Sequence, residues 1–156
     1  MLPMRVLVFG TFDGLHPGHR SFLSQALRRA LNHSPHRSKA SSGGSGSGRG
    51  ELFIVVARDV NVKRSKGKLP VQREARRRRV VQEAFPDAHV LLGELDDRFL
   101  PVVTLRPDLV LLGYDQQFPP GIEEQDFAEA GIAIERLPPF KPEKYKSSLL
   151  RKPRLR

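Results

Sequence analysis

Val6–Phe9, Leu52–Ala57, Val90–Leu92, Leu109–Leu112 and Ile132–Ile134 are short apolar runs. Without alternation, such runs read as strands buried on both faces, the habit of a parallel sheet. Between them the spacing changes. Phe22, Leu23, Ala26, Leu27, Ala30 and Leu31 recur at helical intervals and predict an amphipathic helix over Gly18–Leu31. Val71–Phe85 reads as a second helix, with Val80, Val81, Ala84 and Phe85 on one side. A short helix covers Arg98–Leu105 and must stop near Pro107. Another covers Glu123–Ala130 and ends at Gly131, and Ser147 is placed to cap a last short one. Arg58–Pro70 reads as a basic loop.

Strand and helix thus alternate about five times. The pattern predicts an α/β, Rossmann-like fold: a doubly wound parallel five-stranded sheet with helices on both faces. The 156 residues suit one domain with a single core. Residues 32–50, which include Ser41-Ser-Gly-Gly-Ser-Gly-Ser-Gly-Arg-Gly50, cannot bury a core and are expected to be a flexible insertion. Ligands of doubly wound sheets bind beyond the carboxyl ends of the strands, at the switch point. The loops after the first, second and fourth strands are therefore where chemistry is expected.

Composition narrows the classes. There is no cysteine, so disulfides and thiolate zinc sites are excluded. Val6–Phe9 is too short for a signal-peptide core, and no run is long enough to cross a bilayer, so a cytoplasmic protein without membrane partner is the expectation. The net charge of +10 favours polyanionic partners, nucleotide or nucleic acid.

The first strand leads into Gly10-Thr-Phe-Asp-Gly-Leu-His-Pro-Gly-His19. Pro17 suits a helix start because it lacks an N–H and fixes φ. Gly18 removes a side chain where a ligand would approach backbone. His16 and His19 lie three apart and can share one side of the first turn, at the positive end of the helix, where anions bind. Such a pair can donate hydrogen bonds to phosphate oxygens gaining charge in a transition state. Metal ligation with Asp13 is the alternative, although His33, His36 and His89 show no ligand spacing. Asp13 also fits a turn residue alone.

Three further stretches carry candidate chemistry. Lys63, Lys66 and Lys68 could close over a polyphosphate and neutralise a leaving pyrophosphate, or form a solvated basic loop. In Arg76–Arg79, Arg77 leans toward the side of Val80 and Val81, with Arg76 as the competitor. After the fourth strand, Gly113 would let backbone approach a flat base, Tyr114 could stack on a ring and Asp115 could accept from a sugar hydroxyl or hold a cation.

The ten-residue stretch resembles the signature of the cytidylyltransferase-like nucleotidyltransferases, a family that includes glycerol-3-phosphate cytidylyltransferase, phosphopantetheine adenylyltransferase and archaeal-type FAD synthase. Ala57-Arg-Asp59 with Lys66-Gly-Lys68, and Leu112-Gly-Tyr-Asp-Gln116, resemble the archaeal-type FAD synthase group most. Arg136–Ser148 resembles the closing motif of that group, and the likeness spans Arg5–Leu150 apart from the insertion. It implies AMP transfer from ATP to FMN, with release of pyrophosphate and magnesium on the triphosphate. His16, His19 and Lys66 would be catalytic. Gly10, Thr11, Phe12, Asp13, Gly18, Arg77, Gly113, Tyr114, Asp115, Ser147 and Ser148 would bind nucleotide, and Asp59, Lys63 and Lys68 the acceptor. No residue is assigned directly to metal. Relatives often form homodimers. Two rival readings remain: a cytidylyltransferase using CTP and an alcohol phosphate such as glycerol 3-phosphate, and a non-catalytic basic module for nucleotide or RNA. The second is disfavoured because no aromatic residue interleaves the arginines to stack bases.

Overall fold

The computed structural model describes residues 3–32, 50–96, 99–118 and 121–139. Five strands form one parallel sheet: β1 (Arg5–Gly10), β2 (Glu51–Val56), β3 (His89–Leu92), β4 (Leu109–Leu112) and β5 (Ala133–Arg136). Their order in space is β3-β2-β1-β4-β5. The chain therefore reverses its winding between β1 and β4, and the expected doubly wound α/β sheet is realised with its crevice at that switch point.

Alternate residues of each strand serve opposite faces. Val6, Val8, Leu52, Ile54, Val56 and Val90 pack with Leu23, Ala26 and Ala30 of α1 (Pro17–Asn32) and with Val81 of α3 (Glu74–Ala84). On the other face, Leu7, Val55, Val110 and Leu112 meet Val102 of α4 (Leu100–Leu105) and Phe127 of α5 (Glu124–Glu129). Leu23, Ile54, Val110 and Leu111 are fully buried. Burial on both faces explains why the strands read as continuous apolar runs.

Two expectations are corrected. Asp59–Lys66, read as loop, is a helix, α2. Its apolar period is weak, and its stability comes from its ends. Asp59 stands in the first turn, Lys63, Arg64 and Lys66 in the last, and Gly67 closes it in the left-handed conformation at φ 82°. The backbone N–H of Asp59 donates to the Glu74 carboxylate at 2.7 Å, a cap supplied from outside the helix. The second correction concerns Val71–Arg73, which precede α3 rather than belong to it. Val71 is largely exposed, and the N–H groups of Val71 and Gln72 are taken by Asp13. Residues 33–49, Arg98 and the last helix expected at Ser147 lie outside the described residues. Among the described residues no helix is long and apolar enough to cross a membrane.

Gly50 sits where the chain enters β2, against the carbonyl oxygens of Ala30 and Met4, so a Cβ there would collide with backbone. Backbone cannot step aside as a side chain can. Gly50→Ala is expected to cost about 1–3 kcal/mol of folding stability, measured by urea unfolding.

Candidate active site

The signature loop folds under tension. Phe12 and Leu15 adopt positive φ values of 53° and 38°, and Gly14 one of 83°. Phe12 and Leu15 are both buried, so core packing holds the unfavourable backbone in place. The Phe12 ring lies over Gly10, where a Cβ would come within 2.5 Å of it. Gly10 is thus required by the protein's own packing.

His16 is the N-cap of α1. Its carbonyl accepts the N–H of Arg20 at 3.1 Å, and its Nδ1 accepts those of Gly18 at 3.1 Å and His19 at 3.3 Å. An Nδ1 that accepts carries no proton, so the neutral ring keeps its hydrogen on Nε2. The rings of His16 and His19 stack at 3.6 Å, with 21° between planes, and both line one cleft. They are neither turned into the interior nor on opposite sides of the helix. His19 also meets the Phe12 ring in a T-shaped contact, with centroids 5.6 Å apart. His19 Nδ1 is buried and has no hydrogen-bond partner among the described residues, so packing holds this ring rather than polar ties.

Burial lowers the pKa of His16. His19 is pushed down to about 4, first by burial, then by His16 and Lys66, with Asp13 opposing. Both imidazoles are neutral at neutral pH. Lys66 reaches the same spot from α2, its Nζ donating to Thr11 Oγ1 at 3.2 Å.

The cleft has a volume of about 1190 Å³. Thr11, Asp13, Gly18, Lys68, Tyr114 and Asp115 line it with the histidines and Lys66, as do Gly10, Phe12 and Gly113. A Cβ on Gly113 would make only ordinary contact, at 3.7 Å from Gln116, so protein packing does not demand this glycine. Three expected binding residues are not on the cleft wall. Arg77 is fully buried and donates to Gln72 O at 2.9 Å, Thr11 O at 2.8 Å and Asp59 Oδ1 at 2.7 Å. The inward arginine of the run is therefore Arg77 and not the exposed Arg76, but it clamps loops instead of facing a ligand. Asp59 is spent on that ion pair, and Lys63 is exposed outside the cleft. Ser147 and Ser148 lie outside the described residues.

Asp13 is a clamp as well as a wall. Its two oxygens accept the N–H groups of Val71 at 2.8 Å and Gln72 at 2.9 Å. Among the described residues no group of three or more His, Asp or Glu could hold a metal, so the histidines do not form a metal cage with Asp13. Sequence reasoning missed Gln116 and Arg136. Gln116 Nε2 donates to Phe9 O at 2.9 Å and its Oε1 accepts the Gly113 N–H at 3.0 Å, which staples the β4 loop to the end of β1. Arg136 donates to the carbonyls of Gly113 at 3.1 Å and Gln116 at 2.6 Å. Gln116 stood in a quoted motif, but nothing local distinguishes a stapling amide from a surface one.

Two outcomes follow from this geometry. His19 has a folded pKa of about 4 against an ordinary 6.5, so the unfolded chain binds more protons between those values. Stability should be full above pH 6.5 and fall as the pH drops toward 4; His19→Gln should flatten that part of a melting-temperature profile relative to wild type. Arg77→Met removes three donors and leaves the Asp59 carboxylate and two carbonyls unpaired, at a cost of about 3–5 kcal/mol in denaturant unfolding.

No protein-family profile matches the chain. Individual relatives do. FAD synthase of Aciduliprofundum boonei is 36% identical over 131 residues, which cover 84% of this chain and 74% of that protein. FAD synthase of Methanosarcina acetivorans is 39% identical over 128 residues, covering 82% and 71%. Among solved structures, the lipopolysaccharide core biosynthesis protein of Thermoplasma volcanium matches with a TM-score of 0.66 at 29% identity, over 88% of this chain and 98% of that one. The fold, the loop chemistry and these identities agree, and the chain belongs to the FAD synthase family of nucleotidyltransferases.

Proposed function

We propose that this chain transfers AMP from ATP to the phosphate of FMN, giving FAD and pyrophosphate, with His16 and His19 as the catalytic donors. The observation that carries the reading is the stacked pair of neutral imidazoles at the N-terminus of α1, in a cleft ringed by Lys66 and Lys68. An FMN phosphate oxygen attacks the α-phosphorus of ATP, and the bond to the β-phosphate oxygen breaks. No protein nucleophile is needed; the protein positions reactants and stabilises charge. His16 Nε2–H, fixed by the cap on Nδ1, and the His19 ring donate to α-phosphate oxygens as charge develops. Lys66 and Lys68 neutralise the leaving pyrophosphate. Thr11 and Gly18 line the phosphate path, while Gly113, Tyr114 and Asp115 receive the nucleoside. Ser147 and Ser148 are assigned to the outer phosphates by motif alone.

Magnesium enters as part of the ATP substrate. A cation that keeps most of its waters and rests on phosphates requires no protein cage. Of the three carboxylates on the cleft wall, Asp13, Glu94 and Asp115, the two in the motif loops, Asp13 and Asp115, would hold it, and it would supply charge neutralisation on the triphosphate. The one-domain reading of residues 1–156, a site in the cytoplasm and a homodimer belong to the same proposal.

Pyrophosphate release with ATP or CTP, against FMN or glycerol 3-phosphate, tests the reaction. ATP with FMN should be the productive pair; turnover confined to CTP with glycerol 3-phosphate would favour the cytidylyltransferase alternative, and RNA binding without any turnover the non-catalytic one. His19→Ala should lower kcat about a hundred- to thousandfold, the cost of one preorganised donor. His16→Asn and His16→Ala separate two roles. Asparagine can cap the helix but lacks the Nε2 donor, so it should lose turnover while holding stability; alanine should lose turnover and about 1 kcal/mol of stability as well.

A further inference from the structure

The cleft has a second, chemically different half. On the side of the sheet covered by α4 and α5, its wall is made by Phe9, Val55, Gly93, Pro101 and Phe118. Phe9, Val55 and Phe118 belong to the apolar cluster of that face, and Pro101 stands in the first turn of α4 beside buried Val102. The histidines and Lys66 lie on the α1 side, and the Gly113–Asp115 loop lies beyond β4. The apolar half is therefore continuous with the phosphate path on one side, and on the other it adjoins the Gly113–Asp115 loop, which Gln116 ties to Phe9 O.

The whole cleft, at about 1190 Å³, exceeds the ~300–1,000 Å³ typical of a single-ligand pocket. A glycerol phosphate would leave the apolar half empty and would find no polar partners on the side chains of Phe9, Val55, Pro101 and Phe118. A flat aromatic ring would find apolar and aromatic partners there.

Gly93 sets the room there. It follows β3, and its N–H donates to Val56 O at 2.9 Å. A Cβ built on it would lie 3.4 Å from Val55 Cγ1 and 3.6 Å from Val56 O, over the Val55 side chain that floors the recess. No positive φ forces glycine at this position. The protein could fold around a side chain here, so the space it leaves open serves something else. The rim beside it is held still: Asn61 of α2 is buried and donates from Nδ2 to the Glu94 carbonyl at 2.9 Å.

We propose that this recess receives the tricyclic isoalloxazine ring of the acceptor, and that Gly93 is a specificity-determining residue that keeps the slot open for it. The inference rests on the FMN reading of the same site. It gives the slot to the flavin ring rather than to adenine, so that the FMN phosphate, at the end of its ribityl chain, reaches back toward the histidine pair.

The test compares wild type with Gly93→Val. FMN is titrated by quenching of flavin fluorescence in the presence of a non-hydrolysable ATP analogue, whose own affinity is measured separately by calorimetry. Filling a fitted slot should weaken FMN by about tenfold or more and leave the affinity for the analogue and the melting temperature in place. If Gly93→Val does not fold, Gly93→Ala, whose Cβ makes only a 3.4 Å contact, should give a smaller loss in the same direction. Unchanged FMN affinity in a folded variant overturns the inference, while FAD formation by wild type would keep the wider reading intact. Loss of analogue affinity instead assigns the recess to adenine and also overturns it. A wild-type protein that makes no FAD from ATP and FMN sinks the reading and the inference together.

Discussion

One nitrogen organises the site. Nδ1 of His16 takes two backbone N–H groups of the first turn of α1, while Pro17 has none to offer. The helix can be capped this way only by a neutral ring, so the fold and the protonation state are linked. The same cap turns Nε2–H outward, and the three-residue step to His19 brings the second ring into a stack. Protonating Nδ1 would cost both capping bonds, and burial already opposes it. The loop before the helix serves the same end. Its left-handed residues Phe12 and Leu15 are held by burial, and the Phe12 ring braces His19 through a T-shaped contact.

Around this pair, the charged residues do more clamping than reaching. Arg77 ties Thr11, Gln72 and Asp59; Asp13 ties Val71 and Gln72; Glu74 caps α2 and pairs with Arg58 at 3.4 Å. These contacts join the loop after β1, the helix after β2 and the start of α3. Donors that must meet a developing charge without moving need such bracing, because reorganisation at the moment of reaction would cancel what they contribute. The fully buried guanidinium is tolerable because an ion pair and two carbonyls meet it.

The strands and α1 were legible because burial on two faces, and on one stripe, leaves periods in the sequence. The inward lean of Arg77 is legible from its offset from Val80 and Val81, but its task is not. Its partners lie 66 residues away at Thr11 and 18 away at Asp59. The same distance hides Gln116, whose amide meets Phe9 across 107 residues. α2 was missed because it carries no apolar stripe; only Asn61 and Val62 are buried in it, and its cap arrives from Glu74. Local pattern reports which side of an element is buried. It does not report which distant carbonyl a buried donor will find.

The protein carries a net charge of +10, yet the two groups assigned to the reacting phosphate are uncharged. On the proposed mechanism this division follows from what catalysis requires. A cation such as Lys66 attracts the triphosphate strongly before any bond changes, so it contributes to binding in the ground state and the transition state alike. Interactions raise kcat only in so far as they strengthen between the two. Neutral N–H donors fixed beside the α-phosphate bind the starting charge modestly and gain as charge accumulates on its oxygens. Burial first, then His16 and Lys66, keep His19 unprotonated, so the cation contributes to the arrangement without setting it. The basic residues gather the substrate, while burial keeps both imidazoles, with Lys66 assisting at His19, in the state that discriminates between substrate and transition state.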